Sequence, residues 1–343
     1  MKENIKNLNL LISYWLLITT LLVALIIIVG GLTRLTDSGL SITRWDLFSG
    51  ILPPLTQADW ENYFELYKQI PEFQLINFNM TLEQFKVIFL WEYAHRLLGR
   101  IIGLFYFIPL IIFSFLRGLN KKHILNYYLI LLLILLQGFV GWYMVKSGLS
   151  ERTDVSHYRL SFHLTLAFVI FIFLFWNYLK LTKEKTTINI DKFTSCLIKL
   201  FFLLIIFQIS LGALVSGLDA GKIYNTWPLM NDVFFPDDSL YEDLFKFSIL
   251  ENPSLLQFLH RTTAYVIFFI FTLITILIFK NKNLIYLRKI SMIILPFVIF
   301  QIFLGVLTLI SGAEIFLGSM HQIGSIILVS SALILVFESS KIN

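Results

Sequence analysis

Eight long apolar stretches punctuate the chain, near residues 11–32, 87–116, 124–145, 160–179, 197–217, 255–279, 290–310 and 316–337. A helix needs about 20 such residues to cross a bilayer, so the pattern predicts eight membrane-spanning helices joined by polar segments. Two of those segments, 33–86 and 218–253, are long. Within the first, "TQADWENYFELYKQ" offers Thr56 as a cap, early acids and a stop before Pro71. That is a helix signature. Its aromatic residues suit either the membrane interface or an ordinary solvated surface helix.

Composition strengthens the membrane reading. Apolar residues make up 57% of the 343 and charged residues only 14%, which excludes an ordinary soluble domain. The expected class is all-α and polytopic. The first run has weak basic flanks and no small-residue cleavage site, so it reads as a retained helix.

Charge then orients the helices. Lys2, Lys6, Arg117, Lys121, Lys122, Lys183, Lys185, Lys282, Arg288 and Lys341 fall in the tails and the even-numbered connections, which the positive-inside rule assigns to the cytoplasm. The odd-numbered connections carry nine Lys or Arg against seventeen Asp or Glu, so they face outward. The formal charge of +5 reflects this asymmetry, and no basic groove interleaved with aromatic residues suits nucleic acid. Cys196 is the sole cysteine, which excludes an internal disulfide and a thiolate metal cluster.

The chain also repeats. "LQGFVGWYMVKSGL" in the third run matches "FQIFLGVLTLISGA" in the seventh, pairing Gln137, Gly141, Ser147 and Gly148 with Gln301, Gly305, Ser311 and Gly312. "VGGLTR" resembles "VSGLDA", Gly39–Trp45–Leu47 resembles Gly221–Trp227–Leu229, and "AHRLLGRIIG" aligns with "LHRTTAYVIF", setting His95–Arg96 beside His260–Arg261. The expectation is a tandem duplication of a four-helix unit, 1–180 and 181–343. An even number of crossings per unit makes the two repeats parallel.

Candidate chemistry lies on the even-numbered helices. Of six histidines, His123 and His157 fall in connections and read as solvated, whereas His95, His163, His260 and His321 lie within a few turns of the outer surface. One intramembrane histidine is often a helix–helix hydrogen-bonding residue. Four at one depth, two per repeat, suit cofactors held between facing side chains of bundles. Two opposed imidazoles with no cysteine fit haem iron with two axial ligands better than zinc, which wants three or four. Arg96 and Arg261 either pair with haem propionates or snorkel outward.

The halves differ at one place. Glu92 stands three residues before His95, where the second half has Gln257 before His260. A carboxylate at that depth costs on the order of 3 kcal/mol, so it needs a partner or a task. Arg96, four residues on, is one partner. The alternative is chemistry on a molecule at the first histidine pair, with Glu92 as proton acceptor or as a stabilising anion.

With E-x-x-H-R in the second helix, single histidines in the fourth, sixth and eighth, and "GGLTRLTDSGLSITRWDLFSGILPP" to "GSMHQIGS" between them covering nearly the whole chain, the sequence resembles the haem A synthase family. That resemblance implies oxidation of the C8 methyl of haem O to a formyl group, with oxygen from water and electrons leaving through a haem b. It implies substrate haem O between His95 and His163, Glu92 as catalytic residue, and His260 and His321 as axial ligands of haem b iron. It also implies haem O synthase upstream, cytochrome oxidase downstream, and a lipid-embedded setting. Some bacterial members carry a cysteine pair in the first outer loop. Segment 33–86 has none, so the chain resembles the Cys-free subgroup of Gram-negative bacteria and mitochondria, and with no amphipathic Arg-rich presequence the expected location is the bacterial inner membrane, both termini cytoplasmic. Two other classes stay open: a di-haem cytochrome b that only carries electrons, and a proton-relaying transporter.

Overall fold

The computed structural model describes residues 2–44, 49–116, 119, 124–149, 152–183 and 190–340. Trp45 and Leu47 of the outer-loop repeat and His123 lie outside the described residues, as do Arg117, Lys121, Lys122, Lys185 and Lys341. Eight helices among those described are long and apolar enough to cross a membrane, and no strand accompanies them. They are α1 (Lys2–Leu35), α4 (Leu82–Phe115), α5 (Ile124–Gly148), α6 (His157–Thr182), α7 (Lys192–Gly217), α8 (Pro253–Lys280), α9 (Ile285–Ile310) and α10 (Ile315–Ser339). Short helices α2 (Gln57–Tyr67) and α3 (Pro71–Leu75) fill the long segment between α1 and α4, and the end of the helices on which this segment lies is termed outer.

Local chemistry sets the starts. Thr81 and Gln84 form a capping box before α4, Asp191 caps α7 through Thr194, and Asn252 caps α8 with Pro253 at its first position. Each satisfies backbone N–H groups that a helix leaves without intrahelical partners.

The chain divides into two compact units, Met1–Leu174 and Phe175–Asn343. In the first, α4 packs on α1, α5 and α2. Away from these short helices Trp15 stacks on Tyr106 at 4.8 Å, with the Tyr106 hydroxyl donating to the Tyr127 carbonyl at 2.9 Å. The unit's outer layer is an aromatic core in which Phe64 and Tyr67 of α2 meet Phe85 and Phe89 of α4. The helix expected at 56–69 therefore forms, capped by Thr56 and Asp59, but its aromatic residues serve packing against α4 more than contact with lipid or water. In the second unit, α7 and α9 each pack on both α8 and α10, closing a four-helix ring.

His157 departs from expectation. It is 8% exposed and opens α6, its ring tilted against that of Tyr158 with centroids 4.0 Å apart.

Candidate functional site

The four intramembrane histidines meet in two pairs. His95 of α4 faces His163 of α6 with ring centroids 6.5 Å apart, and His260 of α8 faces His321 of α10 at the same 6.5 Å. Rings bound through nitrogen to a shared metal, with bonds of about 2 Å and ring radii of about 1.1 Å, have centroids roughly 6.3 Å apart. Both pairs thus stand at the spacing of a metal sandwich.

Glycine makes this spacing. A Cβ on Gly30 of α1 would lie 2.9 Å from Cε1 of His95, and Cβ atoms on Gly141, Gly212 and Gly305 would lie 3.0 Å from Cε1 of His163, His260 and His321. Each imidazole therefore lies against the bare backbone of the preceding long helix. Four residues before three of these glycines stands a glutamine. Gln137 donates to the His163 carbonyl at 3.1 Å, while Gln208 and Gln301 donate to those of His260 and His321 at 2.8 Å. The fourth position is Ile26.

These contacts correct the repeat. Gly30 corresponds to Gly212, one helical turn earlier than the match of "VGGLTR" with "VSGLDA" implies. Gln208 is a signal that pattern reading misses. Q-x-x-x-G occurs at Gln137–Gly141, Gln208–Gly212 and Gln301–Gly305, each time on the helix preceding a histidine helix.

Above the first pair, Glu92 is 3% exposed and ringed by donors. Arg96 reaches Oε1 through Nη2 at 2.5 Å and Nε at 3.0 Å, and the Ser41 hydroxyl and Ile42 N–H reach Oε2 at 2.6 and 2.7 Å. Arg96 also donates to the Ile42 carbonyl at 2.9 Å. The second unit repeats this geometry with other chemistry. Gln257 donates to the Tyr224 carbonyl at 3.1 Å, and Arg261 to the same carbonyl at 2.7 Å. In each unit the E/Q-x-x-H-R turn fastens the outer segment to the helix that carries the first histidine. Both arginines bond to carbonyls of their outer segments, and Arg96 to Glu92 as well, so contact with a propionate would compete with bonds already made.

Both pairs fit haem. They have the spacing, glycine clearance on each ring, and buried Nδ1 atoms on His95, His163 and His260 with no hydrogen-bond partner. Among the described residues no group of three or more His, Cys, Asp or Glu gathers as a metal site, which disfavours zinc. Paired imidazoles on glycine seats inside apolar helices define a multi-pass membrane protein that handles haem. The chain belongs to the cytochrome oxidase assembly protein family, whose model matches residues 13–333. It is 48% identical to the heme A synthase of Pelagibacter ubique over 334 residues, 96% of this chain and 97% of the relative. It is 42% identical to that of Rickettsia prowazekii over 320 residues, 93% and 95% of the two chains. The family read from the histidine and E-x-x-H-R motifs is therefore the right one.

Proposed function

We propose that this protein is a haem A synthase, an oxidoreductase that converts the C8 methyl of haem O to a formyl group. The full-length similarity to heme A synthases supports the reaction. The difference between Glu92 and Gln257, at matching stations beside matching histidine pairs, carries the assignment of halves. Substrate haem O lies between His95 and His163 in 1–180, and His260 and His321 in 181–343 hold haem b.

Methyl plus water giving formyl releases four protons and four electrons. Haem b supplies an electron carrier when bound. The chain's own part is to fix the substrate between two imidazoles and to set one carboxylate a helical turn from the first of them. With both oxygens hydrogen-bonded, Glu92 is a positioned anion, suited to stabilising positive charge that develops at the methyl carbon or to receiving its proton. Preorganised charge of this kind acts strongly where water is excluded.

The enzyme lies in the bacterial inner membrane with both termini cytoplasmic, a reading supported by the distribution of lysine and arginine. Haem O synthase supplies it, and the product passes to cytochrome oxidase assembly. In the rival reading, a di-haem cytochrome that modifies neither haem, Glu92 serves only to anchor residues 41–42. Glu92→Gln separates the two, because Gln257 shows that an amide is accommodated at this station. Conversion of haem O by the variant should fall at least about 100-fold while the b-type absorption bands of the second pair persist. Undiminished conversion would make Glu92 an anchor and remove it from the chemistry.

A further inference from the structure

Three of the four seats carry a glutamine latch, and the fourth does not. In the second unit the latch touches its histidine twice: Gln208 Nε2 lies 2.8 Å from the His260 carbonyl and 3.4 Å from ring atom Nε2, and Gln301 Nε2 lies 2.8 Å from the His321 carbonyl and 3.3 Å from ring atom Nδ1. In the first unit Gln137 reaches only the His163 carbonyl. At His95 the latch position is Ile26, whose terminal methyl would lie 3.6 Å from a Cβ on Gly99, one turn beyond His95. An aliphatic side chain there fills space against α4 and offers no hydrogen bond. By this contact alone the four histidines grade from two glutamine bonds through one to none.

We propose that Gln208 and Gln301 are positioning residues that make the second histidine pair a permanent haem socket, and that Ile26 leaves His95 the loose ligand through which the first pair takes up and releases haem. The proposal rests on the assignment of halves above. A resident electron carrier is best served by ligands that do not rearrange, whereas a substrate site must open every turnover. An interhelical hydrogen bond from a membrane-buried amide restrains the turn that carries the imidazole. Without one, the His95 turn has no amide bond to α1 at the level of the ring, and the bonds of Glu92 and Arg96 tie it to residues 41–42 instead. The Gln301 latch has its own clearance, because a Cβ on Gly324 would collide with the Gln301 amide oxygen.

The test measures haem transfer from the purified full-length protein. Haemin serves as probe, loaded at two per chain, and excess apomyoglobin as acceptor. Two phases are expected, with the fast one absent in His95→Ala. Ile26→Gln should slow the fast phase about tenfold, the worth of one restraining hydrogen bond, and Gln137→Leu should speed it. Gln208→Leu, Gln301→Leu and Gly324→Ala should each speed the slow phase and shift the midpoint potential of the retained haem. Gln137→Leu and the second-unit variants keep the test open should Ile26→Gln fail to fold. A single phase, or rates within twofold of the parent in all these variants, would overturn the proposal. Conversion of haem O by the parent protein is measured separately. Normal conversion with unmoved transfer rates defeats the latch alone, whereas the expected rates without conversion defeat the enzyme reading and leave the latch standing.

Discussion

A single absent methyl decides whether each imidazole fits. Carbon atoms sit best at about 3.5–4.0 Å, and a Cβ on Gly212 or Gly305 would stand 3.0 Å from the Cε1 of its histidine. Alanine there must push the ring by roughly half an ångström toward the space its haem needs. Gly103, also on a histidine helix, has open space where a methyl would stand, with nothing within 4 Å, and so serves as the control. Gly212→Ala and Gly305→Ala should lower haem per chain in the purified protein several-fold, and Gly103→Ala should leave it unchanged. Equal haem contents in all three would mean that the seats do not set the ring positions. The same scale shows why Arg96 escaped a single assignment from sequence. Spacing alone allows Glu92, a propionate or the headgroups as its partner, and only the path of residues 41–44 reveals the carbonyls that compete for its five N–H groups.

The long helices were legible because hydropathy is local, and every expected span has a counterpart in the structure. The short outer helices were legible as helices but not as a core, since the packing of Phe64 and Tyr67 on Phe85 and Phe89 joins residues about 20 apart in ways no local pattern records. Helix α3 carries the least expected group of this layer. Glu72 is 4% exposed, and its Oε2 has no hydrogen-bond partner. Burial, followed by the charges of Glu92, Asp154 and Asp37, pushes its carboxyl up to about 8, against a hydrogen bond from Tyr67 that lowers it. A carboxyl that holds its proton more tightly folded than unfolded stabilises the fold fully below its unfolded value, and that contribution is lost as pH rises toward about 8. The outer layer should therefore loosen between pH 5 and 9, by at most a few kcal/mol. Proteolytic nicking within 56–80 should be faster at pH 9 than at pH 5, and Glu72→Gln should flatten that dependence. A parent protein nicked equally at both pH values would place the Glu72 proton outside the stability of this layer.

Across the whole molecule, the likeness of the two halves is what made a site readable from one sequence, because each half serves as the other's control. The match of His95–Arg96 with His260–Arg261 isolates the Glu92 and Gln257 difference, and the hydrogen bonds to Ile42 and Tyr224 show that the two stations are equivalent in space as well as in order. What one sequence could not supply was the alignment of α1 with its counterpart α7, because apolar helices tolerate a shift of one turn without changing their pattern, and only the contact with an imidazole fixes which glycine matters. The same equivalence yields a test of which half is which. If the second pair is the permanent socket, His260→Ala and His321→Ala should strip the purified protein of its resident b-type absorption bands, whereas His95→Ala and His163→Ala should keep those bands and lose conversion of haem O. Each variant removes one ligand from one pair and leaves the other unit's seats, latches and outer-segment bonds in place, so loss of bands in one set alone reports occupancy rather than collapse. The opposite pattern, with bands lost on changing His95 or His163 and kept on changing His260 or His321, would exchange the roles of the halves. Glu92 would then lie beside the resident haem, where a fixed anion lowers the reduction potential by favouring the ferric form, and the chemistry would have to be sought beside Gln257.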